Sequence, residues 1–154
     1  YNIPFFDDNR QAAESMDVIS VNMYCGWYYG STGDIGPHLD RLHRRFPGKP
    51  IIVSEFGADA APGRKEEDGI WKAERVGFGK TYSEDYQAGL IKAYFDAARS
   101  RAFITGISPW VFSDFYCTWF PNNPVPYYNL KGITSSKRVP KAAFHLLRKL
   151  YGGK

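Results

Sequence analysis

Two cysteines and two methionines in 154 residues leave little sulfur to work with. Cys25 and Cys117 are too few for a disulfide scaffold, show no CxxC spacing and have no local histidine for zinc binding or thiol catalysis, so both read as free thiols. Long apolar runs are also missing. Stretches such as Pro50 to Val53 fall far short of the roughly 18 residues that span a bilayer, and no basic segment followed by an apolar one opens the chain. Neither a membrane span nor a signal peptide is expected, and the compartment stays open. There is no tandem repeat and no linker. At 154 residues the chain is also too short for a closed (β/α)8 barrel, which takes about 250.

Charge of one sign is not concentrated. Twenty Lys+Arg against sixteen Asp+Glu give +4, with the basic residues scattered and their densest groups, Arg41 to Lys49 and Lys137 to Lys154, on helix-like segments. Nucleic-acid binding needs a basic face, so it is not expected.

What the chain has is apolar residues, 44%, and rings, 17%: 11 Tyr, 11 Phe and 4 Trp. The hydrophobic content suffices for one globular core. Rings cluster beside glycine and polar residues in Tyr24-Cys-Gly-Trp-Tyr-Tyr29 and Trp110-Val-Phe-Ser-Asp-Phe-Tyr116. Aromatic faces framed by amide, hydroxyl and carboxylate groups suit saccharides, which pair apolar C–H faces with a rim of hydroxyls.

The elements alternate. A short helix from Arg10 to Met16, capped by Asp7 or Asp8, precedes a strand over Val18–Asn22. Asp34 reads as the N-cap of a helix whose Ile35, Leu39, Leu42 and Phe46 share a face, stopped by Pro47-Gly-Lys-Pro50. Ile51–Glu55 is a second strand; residues 56–81, with five glycines, read as a surface loop. Ser83 caps a helix to about Ser100 carrying Tyr86, Leu90, Tyr94 and Ala97 on one face. Phe103–Phe112 is a third strand, 121–126 a loop, and Lys141–Tyr151 a last helix with Phe144, Leu147 and Tyr151 in register. Strands that are continuously apolar and separated by helices predict an α/β fold with parallel strands covered on both faces. Ligands of such sheets gather at the carboxyl ends of the strands, where Asn22, Tyr24, Glu55 and Asp114 fall. Glu55 is the leading catalytic candidate, because it sits where a strand leaves the core and Gly57 lets the backbone turn away. A structural cap or ion pair is the competing reading.

Ser54-Glu-Phe-Gly-Ala-Asp59, preceded by Lys49-Pro-Ile-Ile-Val53, resembles the nucleophile motif of glycoside hydrolase family 2, the β-glucuronidases and β-galactosidases. Further segments resemble that family in the same order: Asp17-Val-Ile-Ser-Val-Asn22-Met-Tyr24-Cys-Gly26-Trp27-Tyr28, Tyr82-Ser-Glu-Asp-Tyr-Gln87, Trp110-Val-Phe-Ser-Asp114-Phe115, Asn129-Leu-Lys131-Gly132-Ile133 and Arg138-Val-Pro-Lys141. The resemblance implies a partial (β/α) barrel, the last three βα units, forming a single domain over 1–154. It implies that Glu55 is the nucleophile of a retaining β-glycosidase, that Tyr24 steadies its charge, and that Asn22, Trp27, Tyr28, Trp110 and Asp114 line the saccharide pocket. Asn129 and Lys131 match an Asn-x-Lys pair that contacts a sugar carboxylate in β-glucuronidases, while a turn-flanking surface lysine is the plain alternative for Lys131.

Retention needs two carboxyl groups about 5 to 5.5 Å apart. In this family the acid/base glutamate follows an asparagine, and none of the six asparagines here, at 2, 9, 22, 122, 123 and 129, is followed by Glu. The acid/base and the N-terminal β-sandwich domains are therefore expected to be absent from this segment. Asp59, Asp114 or a neighbouring subunit's residue would have to replace the acid. Exposed edges of a three-stranded sheet favour a homodimer or higher homo-oligomer. No cofactor or metal is expected, and a non-catalytic carbohydrate-binding or scaffold fragment is the alternative function.

Overall fold

A computed structural model describes residues 10–66 and 81–152. Its centre is a three-stranded parallel sheet in the order β1 (Ile19–Asn22), β2 (Ile51–Glu55), β3 (Ile104–Ile107). Helix α1 (Arg10–Ser15) precedes it, α2 (Ile35–Arg45) joins β1 to β2, and α3 (Glu84–Arg99) precedes β3. A small antiparallel pair, β4 (Phe115–Tyr116) with β5 (Tyr128–Asn129), and α4 (Ala142–Gly152) complete the chain.

The strands bury one face, not two. Ile19, Val21, Ile51 and Val53 are buried, whereas Ser20 and Asn22 are exposed and Ile52 and Ser54 only half-buried. The buried face meets Ile35, Leu39 and Leu42 of α2 and Leu90, Ile91, Tyr94 and Phe95 of α3 in one core. The expectation of a sheet covered on both sides is corrected accordingly. Every second side chain of these strands points to the other, less buried face.

Local chemistry explains the helix ends. The Lys49 ammonium closes the C-terminus of α1 by donating to the carbonyls of Ala13 (2.9 Å), Glu14 (2.6 Å) and Met16 (2.7 Å). Asp34 holds the N-cap position of α2, as expected, but its side chain makes no cap bond to that helix. It ends a 3-10 turn, Thr32–Asp34, and its carboxylate accepts from the Ser31 amide at 2.6 Å and hydroxyl at 2.9 Å, so the capping pair lies one turn earlier than expected. Those bonds hold the Asp34 carboxyl below its usual range. Ser83 caps α3 as its sequence implies, its hydroxyl accepting from the Tyr86 amide at 3.0 Å. Asp7 and Asp8, the expected caps of α1, lie outside the described residues.

Three boundaries differ from expectation. The third strand ends at Ile107, so Pro109 follows the ladder and costs it no hydrogen bond. The stretch after Glu55 begins as core: residues 56–60 are all buried, and 67–80 lie outside the described residues. On α4, Leu147 and Ala143 are buried, Phe144 is half-buried and Tyr151 is exposed, its hydroxyl donating to the Ile107 carbonyl at 3.1 Å.

Candidate active site

The carboxyl end of the sheet is shaped by a bulge. Val21 pairs with Val53 but Asn22 pairs with Glu55, so Ser54 is skipped and the register shifts at the end of β2. Bulges re-aim side chains at such places. The Met23 amide bonds the Glu55 carbonyl at 2.8 Å and the Ser54 hydroxyl bonds Asn22 Oδ1 at 2.8 Å, fixing the end of β2 against the start of the aromatic loop. Glu55 is half-buried, and the Tyr24 hydroxyl donates to its Oε2 at 3.0 Å. Burial first, then the Glu55 charge and this bond, push the Tyr24 phenol well above its ordinary pKa, so it stays a proton donor at every physiological pH.

The loop that presents Tyr24 is held from behind. The buried Tyr94 hydroxyl of α3 lies 3.0 Å from the Met23 carbonyl and 3.2 Å from that of Cys25, and the Tyr29 hydroxyl accepts from the Tyr24 amide at 3.0 Å. Burial raises the Cys25 thiol to about 11, which removes it from thiolate chemistry. Trp27 is buried, with Tyr82 edge-on at 5.4 Å, whereas Tyr28 is 50% exposed with its ring 5.0 Å from that of Tyr24.

Opposite this loop lie two buried lysine–aspartate pairs. Lys131 Nζ meets Asp59 Oδ2 at 2.6 Å, and the other Asp59 oxygen accepts from the Leu130 amide at 2.7 Å. The Lys131 ammonium also lies 4.8 Å from the ring centre of Tyr28, 5.0 Å from Phe120 and 5.7 Å from Trp27. At 1% exposure, Lys131 is not the surface lysine weighed from the sequence. Asn129 Oδ1 accepts from the Lys131 amide at 3.0 Å and so shapes this segment directly.

In the second pair, Lys141 Nζ donates to Asp114 Oδ1 at 2.8 Å and to the carbonyls of Ala60 at 2.7 Å and Leu130 at 3.0 Å. Asp114 Oδ1 also accepts from the Gly132 amide at 2.9 Å. Burial outweighs these partners and raises Asp114 to about 6. Asp59 and Asp114 are thus both committed to lysines, which corrects the expectation that either stands free as a second carboxylate beside Glu55.

Trp110 is half-buried, bonded through its amide to the Phe56 carbonyl at 2.8 Å, and its own carbonyl lies over Gly57. The structure therefore brings Asn22, Tyr24 and Glu55 together at one end of the sheet and sets Trp27 and Tyr28 beside the buried Lys131 ammonium, with Asn129 holding the Lys131 backbone amide. Sequence reasoning missed Asp59 as the partner of Lys131, Lys141 as the partner of Asp114, and Phe120 altogether. Asp59 and Lys141 had a signal, each lying in a segment that resembles the family, whereas Phe120 had none.

Residues 3–153 match the family described as glycosyl hydrolases family 2, TIM barrel domain. The chain is 33% identical over 151 residues to the β-glucuronidase of Mus musculus, covering 94% of this chain and 22% of that protein. Among solved structures it is similar to a family 2 β-galacturonidase from Eisenbergiella tayi bound to galacturonate, with a TM-score of 0.72, 28% identity, and 90% of this chain on 24% of that one. It is likewise similar to the β-D-glucuronidase of Dictyoglomus thermophilum, with a TM-score of 0.73, 31% identity, and 92% on 23%. The chain spans about a fifth of the length of the curated relatives it matches. Three parallel strands with flanking helices are accordingly part of a TIM barrel, and the chain belongs to glycoside hydrolase family 2, as part of its TIM barrel domain.

Proposed function

We propose that this segment carries the nucleophile of a retaining β-uronidase, with Glu55 as that nucleophile. The observation that carries the reading is the Tyr24 hydroxyl on Glu55 Oε2 at 3.0 Å, at the carboxyl end of a parallel sheet. One carboxylate oxygen is held by a phenol that stays protonated, and Glu55 attacks the anomeric carbon with its carboxylate while the aglycone oxygen leaves with a proton from a general acid. Water then attacks the same carbon, losing its proton to the conjugate base of that acid and releasing Glu55. Asp59 and Asp114 are paired with lysines, so neither stands free to act as that acid.

A uronide is favoured over a galactoside for two reasons. A buried ammonium at Lys131 offers a charge-assisted bond to a sugar carboxylate, and the relatives described above are named for glucuronide or galacturonide chemistry. Asn22, Tyr28, Trp110 and Asn129 then border the sugar.

The test uses a substrate that needs no acid. 2-Deoxy-2-fluoro-β-D-glucuronyl fluoride loses fluoride unassisted, leaving Glu55 esterified, and mass spectrometry of the digested chain is expected to find the sugar on the peptide containing Glu55. Glu55→Gln is expected to abolish it. Label on another residue would end the nucleophile assignment, and saturable uronide binding without any label would favour a binding fragment.

A further inference from the structure

The Lys131 ammonium is 1% exposed, yet it sits one ring away from solvent, because Tyr28, 4.8 Å from it, is half open to water. A buried ammonium without a carboxylate is costly, and its three donors need partners. One is taken by Asp59 Oδ2 at 2.6 Å, and among the described residues the rings of Trp27, Tyr28 and Phe120 lie around the ammonium. Rings stabilise the charge without consuming hydrogen-bond capacity, so the ammonium keeps donors for a ligand oxygen.

Asp59 is built to aim that ammonium. Its two oxygens hold separate groups of one segment, Oδ1 the Leu130 amide at 2.7 Å and Oδ2 the Lys131 ammonium, and the Ala60 amide bonds the Leu130 carbonyl at 2.9 Å. Asp59 is itself four residues past Glu55 on the same stretch of backbone, and its charge reaches Tyr24. The arrangement ties the position of Lys131 to the end of β2, where the nucleophile candidate lies.

We propose that Asp59 is the positioning residue that sets preference for a carboxylated over a neutral sugar, by fixing Lys131 relative to Glu55. The proposal rests on the uronidase reading for its ligand class. Asp59 touches no substrate in this role. It acts through Lys131.

Asp59→Asn separates its two tasks: the Asn Oδ1 still accepts from Leu130, while the amide nitrogen it turns to Lys131 cannot accept. Calorimetric titration of the full chain with methyl β-D-glucuronide and methyl β-D-glucoside is the test. The wild type is expected to prefer the glucuronide. Asp59→Asn is expected to lower that preference about tenfold, the scale of one charged hydrogen bond, and to leave glucoside binding within about twofold. Lys131→Met is expected to do the same, and adding Asp59→Asn to it to lower the preference no further. If Asp59→Asn does not fold, judged by its thermal transition, Asp59→Glu shifts the carboxylate by one methylene and the same loss of preference is expected.

A wild type that prefers neither sugar, a variant with unchanged preference, or an equal fall for both sugars would overturn the proposal. Labelling by the glucuronyl fluoride, run alongside, keeps the two readings apart. Loss of preference with no label on Glu55 would remove the nucleophile and leave Asp59 in its role, whereas label with unchanged preference would do the reverse.

Discussion

Tyr24 and Glu55 leave neighbouring parallel strands two residues out of step, and the skipped Ser54 is what allows the phenol of one to reach the carboxylate of the other at 3.0 Å. In unbroken register Asn22 would face Ser54, and Glu55 would face Met23, a buried residue. The bulge instead sets Glu55 beside Asn22, at the exposed end of the sheet. A one-residue irregularity thereby converts an alternating strand into a site.

Tyr24→Phe tests that contact while keeping the ring that packs on Tyr28. The variant is expected to fold with an unchanged thermal midpoint and to lose about 10- to 100-fold in the rate at which the glucuronyl fluoride labels Glu55, as a charged hydrogen bond of about 1.5–3 kcal/mol implies. A labelling rate within about twofold of wild type would show that the phenol contributes nothing to the nucleophile.

Tyr94→Phe probes the support behind the loop. The Tyr94 hydroxyl serves two otherwise buried carbonyls, Met23 and Cys25, and its ring stacks on Phe56 at 4.4 Å. Removing the oxygen is expected to cost about 1–3 kcal/mol in urea unfolding with the core otherwise intact. An unchanged midpoint would mean that these carbonyls find other partners.

How much of this was legible follows from what each residue reports. Periodicity located β1, β2, α2 and α3 because the apolar side chains of those elements meet one another in the core, and the polar ends of β1 and β2 pointed to the candidate site. Residues 56–60 carry no such period: Gly57, Ala58 and Ala60 are small because the backbone there runs against the segments at 110 and 130, a tertiary fact with no local signal. Lys131, for which a surface lysine is one of two readings of the sequence, and Lys141 are buried beside Asp59 and Asp114, 72 and 27 residues away, which neutralise them. Pairing over such separations is invisible to a window of neighbours.

Gly57→Ala tests the close approach directly. Gly57 has φ +156, and a Cβ there would meet the Trp110 carbonyl oxygen at 2.6 Å. Strain in this region costs about 1–3 kcal/mol before the clash is counted. The variant is expected to unfold at lower urea and to label more slowly at Glu55, because the backbone of Trp110 and the end of β2 must separate. Stability within about 0.5 kcal/mol of wild type would show that the two segments have room to part.

Asp114 gives the chain a pH-dependent stability. Burial raises its carboxyl to about 6 from an ordinary 3.8, against the pull of Lys141 and the Gly132 amide. The folded chain therefore binds more protons than the unfolded chain between those values, so this group's contribution to stability is fully present below about 3.8 and is lost as pH rises through about 6. Asp114→Asn removes the titration but keeps both hydrogen bonds, since Lys141 and Gly132 share Oδ1. Urea midpoints taken across this range are expected to fall with rising pH more steeply for the wild type than for the variant. At pH 7 Asp114→Ala, which leaves the Lys141 ammonium without a carboxylate or that oxygen, is expected to cost about 3–5 kcal/mol, and Asp114→Asn less. Parallel pH profiles for wild type and Asp114→Asn would show that Asp114 keeps its ordinary pKa in the fold and that Lys141 fully offsets its burial.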